Sequence, residues 1–130
     1  MNFLDATVEK RGENAALILE SGEVLLPSHK SNSLLEKGYE GKTVTLGIRP
    51  EDLDDSPSSL DSNTGLFDAT VNVYELLGAE AFLYFDLAGT PVTARVDANT
   101  TARPGSRIKI AMDANKIHVF DKETEATITN

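Results

Sequence analysis

Apolar and polar residues alternate through most of this chain. In "FDATVNV" (67–73) every second residue is apolar. A period of two places Phe67, Ala69, Val71 and Val73 on one face of a half-buried strand, with Asp68, Thr70 and Asn72 on the other. The same alternation marks Leu4, Ala6 and Val8, then Val44, Leu46 and Ile48. It returns in Leu83, Phe85 and Leu87, in Val92, Ala94 and Val96, and in Ile108, Ile110 and Met112. Clusters with turn chemistry separate these runs: "RGEN", "ESGE", "LAGTP", "RPGS" and "DANK". Only "SNSLLEKG" (31–38) reads as a helix, with a polar start, a Leu34-Leu35 pair and a stop at Gly38.

The pattern repeats. "LDATV" at 4–8 returns as "FDATV" at 67–71, an offset of 63 residues. After each copy come an apolar strand, a short strand, a spacer, a glycine and another alternating strand. The glycines are Gly41 and Gly105, 64 residues apart. The predicted fold is all-β, with two OB-like Greek-key units packed as one barrel or sandwich body and one short helix. The units are expected at 1–50 and 66–122, an acidic linker loop at 51–65, and a mobile tail at 123–130. Neither unit of some 55 residues buries much core alone, so the two are expected to pack or interleave.

Composition narrows the function classes. The 130 residues suit one domain, and the absence of cysteine excludes disulfides, thiolate metal sites and thiol nucleophiles. With 12 basic against 21 acidic residues the net charge is −9, the wrong sign for nucleic acid or an anionic membrane surface. An OB-type barrel that binds single strands needs a basic groove and stacking aromatics, so that use is set aside. No signal peptide or membrane-length apolar run is present, which points to a soluble, cytoplasmic protein. The triplet Asn99-Thr100-Thr101 reads as a chance glycosylation match.

Catalytic and metal chemistry finds no footing. There is no Walker A phosphate loop, GxGxxG, GxSxG or HExxH. His29 and His118 lie in different repeats, and nothing marks a serine as activated. The run Glu51, Asp52, Asp54 and Asp55 lacks the spacing and turn glycine of a calcium loop, and reads as a solvated acidic surface. No catalytic residue, cofactor site or metal site is therefore assigned.

Two stretches break the pattern. In "KIHVFDK" (116–122), Ile117 and Val119 share a face, so His118 and Phe120 point the other way. If the first pair enters the core, Phe120 stands outside it. It is then an interface residue, or packs under the tail or against the other repeat. In "VTLGIRPEDL" (44–53), Pro50 forces Arg49 into extended backbone and suits the first position of a helical turn. Glu51 and Asp52 then complement exposed first-turn N–H groups. At an offset of 64, "IRPEDL" (48–53) falls on "MDANKI" (112–117), read as a plain hairpin turn. One repeat is thus expected to close with a hairpin, the other with a stiff, charged corner.

Taken together, "MNFLDATV", "LGIRPEDL", "VNVYELLGAEAFLYFDLAG" and "IHVFDKET" resemble the C-terminal part of MalK-type carbohydrate ABC importer ATP-binding subunits, across essentially the whole chain. The resemblance implies a transport-associated OB (TOBE) regulatory domain that follows a nucleotide-binding domain. It implies that ATP and Mg are bound in that missing domain and none in this chain, and that Met1 is not the natural start. It also implies a homodimer partner, contact with the chain's own ATPase domain and with importer membrane subunits, and a position peripheral to the inner face of the membrane. Phe120 matches a position of subunit contact, and His118, Arg49 and Glu51 match motif positions that are candidates for dimer or interdomain contact. The main expectation is a non-catalytic regulatory and dimerisation domain of a sugar importer. The alternatives are a small-ligand or oxyanion sensor, and a docking surface for an inhibitory phosphotransferase-system protein.

Overall fold

The computed structural model describes residues 1–55 and 64–130. Eleven strands, one α-helix and two short 3-10 turns follow one another: β1 (Asn2–Arg11), β2 (Asn14–Leu19), β3 (Gly22–Leu25), α1 (Ser28–Glu36), β4 (Thr43–Ile48), β5 (Leu53–Asp54), β6 (Thr64–Leu77), β7 (Glu80–Leu87), β8 (Thr90–Asp97), β9 (Arg107–Asp113), β10 (His118–Phe120) and β11 (Thr127–Thr129). One sheet runs β11-β10-β4-β1-β2-β3 and the other β5-β9-β6-β7-β8. The curled sheets form the expected all-β, OB-like body around one core.

The alternating residues build that core. Leu4, Val8, Leu17, Val44, Leu46 and Ile48 from the first sheet meet Phe67, Leu83, Phe85 and Ile110 from the second, all at most 2% exposed. Burying such side chains stabilises by roughly 1.5–3 kcal/mol each. The sheets approach most closely where β3 crosses β6. A Cβ on Gly22 would collide with the Leu66 carbonyl oxygen, and one on Gly65 would lie 2.6 Å from Val24 Cβ. Only glycine permits that approach.

The repeat is visible in the hydrogen bonds. Gly41, at φ +79°, and Gly105, at φ +90°, occupy the left-handed region. Gly41 N–H donates to Val8 O at 2.7 Å, and Gly105 N–H to Val71 O at 2.8 Å. Val8 N–H then donates to Lys42 O and Val71 N–H to Ser106 O, each at 2.9 Å. Each repeat thus ties its spacer to its first strand by the same two bonds.

Sheet membership and chain order part at two places. After β4, a 3-10 turn at Pro50–Asp52 sends β5 onto β9, the last long strand of the second sheet. After β9, a 3-10 turn at Ala114–Lys116 sends β10 onto β4 of the first. Each repeat therefore lends a short strand to the other's sheet. The plain hairpin expected at "DANK" is instead the counterpart of the proline corner. There the Asp113 side chain accepts a hydrogen bond from Asn115 N–H, doing with a cap what Pro50 does with a fixed φ.

Three further differences have physical causes. The helix begins at Ser28, before the expected 31, because Pro27 in extended backbone (φ −65°, ψ 162°) delivers the chain straight into it. Val73 does not share the buried face of Phe67, Ala69 and Val71. A bulge between Val71 and Val73 reverses the parity of β6 and leaves Val73 50% exposed. The segment 123–130, expected to be mobile, carries β11 paired with β10, and Ile128 is buried. Of the expected linker, residues 56–63 lie outside the described residues.

Candidate interaction surface

Strand parity in β10 places Val119 in the core and turns His118 and Phe120 outward. The same parity in β1 buries Leu4 and turns Phe3 outward, 55% exposed. Between them runs β4. Its Gly47 pairs with Phe3 on one side and His118 on the other, and its Thr45 pairs with Asp5 and Phe120. These residues form the outer face of the first sheet.

Gly47 gives this face its shape. With no side chain there, rings from both neighbours lean over the strand. A Cβ at Gly47 would lie 2.9 Å from Phe120 Cε2 and 2.8 Å from Met1 Sδ. Phe3 and Phe120 meet edge to face, with centroids 5.9 Å apart and planes at 62°. Such a pair contributes about 0.5–1.5 kcal/mol beyond its buried area. Met1, 47% exposed, extends the apolar patch. Phe120 thus packs on β1 rather than under the tail.

A groove of about 520 Å³ runs beside the rings, lined by Phe3, Thr45, Phe120, Asp121, Lys122 and Glu125. Its polar rim is held in place. Lys122 Nζ bonds Asp5 Oδ2 at 2.6 Å, an exposed pair of small energetic weight. Tyr39 Oη donates to Asp121 Oδ2 at 2.6 Å, while the N–H groups of Glu123 and Thr124 donate to Asp121 Oδ1. The Tyr39 bond first, then the Thr124 N–H, hold the Asp121 carboxyl down at about 2. The same bond raises the Tyr39 hydroxyl.

The remaining sequence candidates fall around this patch. His118 lies beside Phe120 on the same face, with Nδ1 3.3 Å from Asn130 Oδ1. Arg49 follows Gly47 by two residues in extended backbone (φ −80°, ψ 150°) and continues the face to its corner. Glu51 is exposed in the turn beyond. Burial first, then Glu51 beside it, raise the Asp52 carboxyl. Asp55 accepts a hydrogen bond from the Thr100 hydroxyl. Among the described residues no group of three or more His, Cys, Asp or Glu side chains could hold a metal ion. Among the same described residues no helix is long and apolar enough to cross a membrane.

Phe3 and Gly47 were missed as partners of Phe120. Phe3 had a readable sign, since it opposes Leu4, Ala6 and Val8 in parity. Gly47, inside an alternating strand, is the mark of a close approach.

Residues 1–53 match the family described as the MalK OB fold domain, and residues 46–120 match the TOBE domain family. The chain belongs to the TOBE domain family. Related proteins include the oligosaccharides import ATP-binding protein MsmX of Bacillus subtilis, 40% identical over 83% of this chain and 30% of the relative. The multiple sugar-binding transport ATP-binding protein MsmK of Streptococcus mutans is 39% identical over 98% of this chain and 33% of its own length. The trehalose/maltose import ATP-binding protein MalK of Thermococcus litoralis is 35% identical over 98% and 34%. This TOBE-family chain thus spans about a third of the length of these relatives. In solved structures, its fold resembles the cytoplasmic molybdate-binding protein ModG with molybdate bound. The TM-score is 0.66 at 19% identity, covering 91% of this chain and 94% of ModG.

Proposed function

We propose that this TOBE domain is the regulatory and dimerisation part of the ATP-hydrolysing subunit of a sugar importer, itself without catalysis. The observation that carries this reading is the Phe3–Phe120 pair laid over Gly47 on an exposed sheet face. A second copy, seated there, covers both rings and Met1. Self-association keeps two ATPase domains at high effective concentration while they separate and close. In that setting ATP and Mg are held by the preceding domain, and the importer's membrane subunits place the assembly at the inner face of the membrane. His118, Arg49 and Glu51 rim the contact.

Sedimentation equilibrium of this chain tests the reading. A concentration-dependent monomer–dimer equilibrium is expected, weakened about tenfold or more by Phe120→Ala and by Phe3→Ala. Because each copy carries −9, added salt should strengthen it. A monomer at every concentration, indifferent to both substitutions, overturns the proposal.

A second reading, an oxyanion site, draws on the likeness to ModG and on a groove of about 540 Å³ that includes Thr70, Asn72, Arg107 and Lys109. It ranks lower because Asp68 and Asp86 line the same groove, and Lys109 is bonded to Asp68 at 2.7 Å. Calorimetry with molybdate and phosphate decides it: saturable binding promotes this reading, and none removes it.

A further inference from the structure

β6 runs past the end of its neighbour. It pairs with β9 from Thr64↔Asp113 to Thr70↔Arg107, and Val71 is still bonded to Gly105 and Ser106. Beyond that point the spacer leaves the strand. Among the described residues, Val73–Leu77 pair with β7 alone. Among the described residues, one main-chain edge of this overhang is therefore open.

The hairpin geometry fixes which groups face that edge. Leu77 pairs with Glu80 across a two-residue turn that opens with Gly78 at φ +65°. A turn of this length puts its closing pair in the hydrogen-bonded position, so the main-chain groups of Leu77, Glu75 and Val73 point at β7. Those of Tyr74 and Leu76 point outward. Unpaired N–H and C=O groups along a strand edge are a template for a further strand.

The side chains fit this use. Val73, Leu76 and Leu77 are 50%, 54% and 56% exposed, on both faces of the overhang. The usual guards of an open edge, lysine or proline, are missing from 73–77. The single charge, Glu75, accepts a hydrogen bond from Tyr84 Oη at 2.9 Å. At the base, the Arg103 guanidinium lies 4.1 Å from the centre of the Tyr74 ring and steadies the strand.

We propose that the edge of Val73–Leu77 takes up an extended segment of a partner protein as an added antiparallel strand. The segment is apolar at alternate positions and carries a lysine or arginine facing Glu75. Charge selects such a partner over a second copy. Pairing this edge with itself, Val73 against Leu77, sets Glu75 directly opposite Glu75. Like charges directly opposed destabilise a strand pair. The site lies on the second sheet and does not depend on the Phe3–Phe120 face.

Amide NMR of the full chain with a blocked peptide of sequence Lys-Val-Leu-Lys-Thr-Val-Lys tests this. Shifts should centre on the Tyr74 and Leu76 amides, and their hydrogen exchange should slow. An N-methylated peptide, lacking the central backbone donors, should bind roughly five- to tenfold more weakly, the loss of about one hydrogen bond. Leu76→Pro removes an open-edge donor without touching a bond to β7, and should weaken binding similarly. Should that variant fail to fold, the N-methylated peptide on the unaltered chain decides. Equal binding of both peptides, shifts elsewhere, or no binding at millimolar peptide overturns the proposal. Protection of both amides with rising protein concentration and no peptide overturns the choice of partner in favour of a second copy.

Discussion

The first repeat spans the gap between its third and fourth strands with α1, the second with the irregular segment 98–106. In the first spacer Lys30 and Lys37 reach main-chain carbonyls, in the second Arg103 does, and Lys30 and Arg103 are used differently. Lys30, 1% exposed on α1, donates from Nζ to Ile117 O at 2.8 Å, so the helix of the first repeat grips the crossing segment of the second. Arg103 donates to Thr100 O and Ala102 O and lies over the Tyr74 ring, all within its own repeat. One duplicated plan has thus acquired a clamp on one side only. The lesson is that pseudo-symmetry in the backbone does not carry over to the side chains that hold the strand exchange.

The comparison breaks most severely in the shared core. Phe67, which occupies the place of Leu4 one repeat later, is fully buried at the crossing of the sheets. Phe67→Ala should cost about 3–5 kcal/mol in urea unfolding. Next comes the crossing itself. Gly22→Ala must push against the Leu66 carbonyl and should cost about 1–3 kcal/mol, whereas Gly47→Ala meets only movable side-chain ends and should cost less than about 1 kcal/mol.

The two cations give a smaller, sharper test. Lys30→Ala leaves the buried Ile117 carbonyl without its donor and should cost about 1–3 kcal/mol, while Arg103→Ala should cost about 1 kcal/mol or less. Equal effects would restore the symmetry. Lys30 also adds a pH signature. Burial lowers its pKa below 10.5, so the unfolded chain binds the proton more tightly. Stability should rise with pH through that lowered value up to 10.5 relative to Lys30→Met, followed by urea titration.

The mildest change is at Asp121. Its carboxyl, held at about 2 chiefly by Tyr39, contributes stability that is present above the unfolded carboxylate range and lost as pH falls through 2. Asp121→Asn should flatten that acid dependence and raise hydrogen exchange in the 121–126 turn, leaving the core amides unchanged.

Much of this was legible in the residues. The period of two located the core of most strands, and the parity of Ile117 and Val119 correctly turned Phe120 outward. The glycines 41 and 105 announced the repeat. What stayed hidden depended on distant contacts or on irregularity. Phe3 and Phe120 are 117 positions apart, and no local pattern joins them. The bulge that exposes Val73 replaces no residue with a recognisable one; Asn72 sits in an unbroken alternation. The corner at 113–116 resembled a hairpin because its Asp-Ala-Asn-Lys composition suits either turn, and only the pairing of β10 with β4 distinguishes them.

The exchange of β5 and β10 also sets a timetable for synthesis. β4 leaves the ribosome at Ile48, yet the strand that covers its edge begins 70 residues later, at His118. At about 5–20 residues per second, that edge waits on the order of 4–14 s for its partner. During this interval the growing chain presents the row that ends in Gly47 and Ile48 uncovered. Slowing translation between residues 50 and 118 lengthens that exposure, whatever the stability of the finished domain.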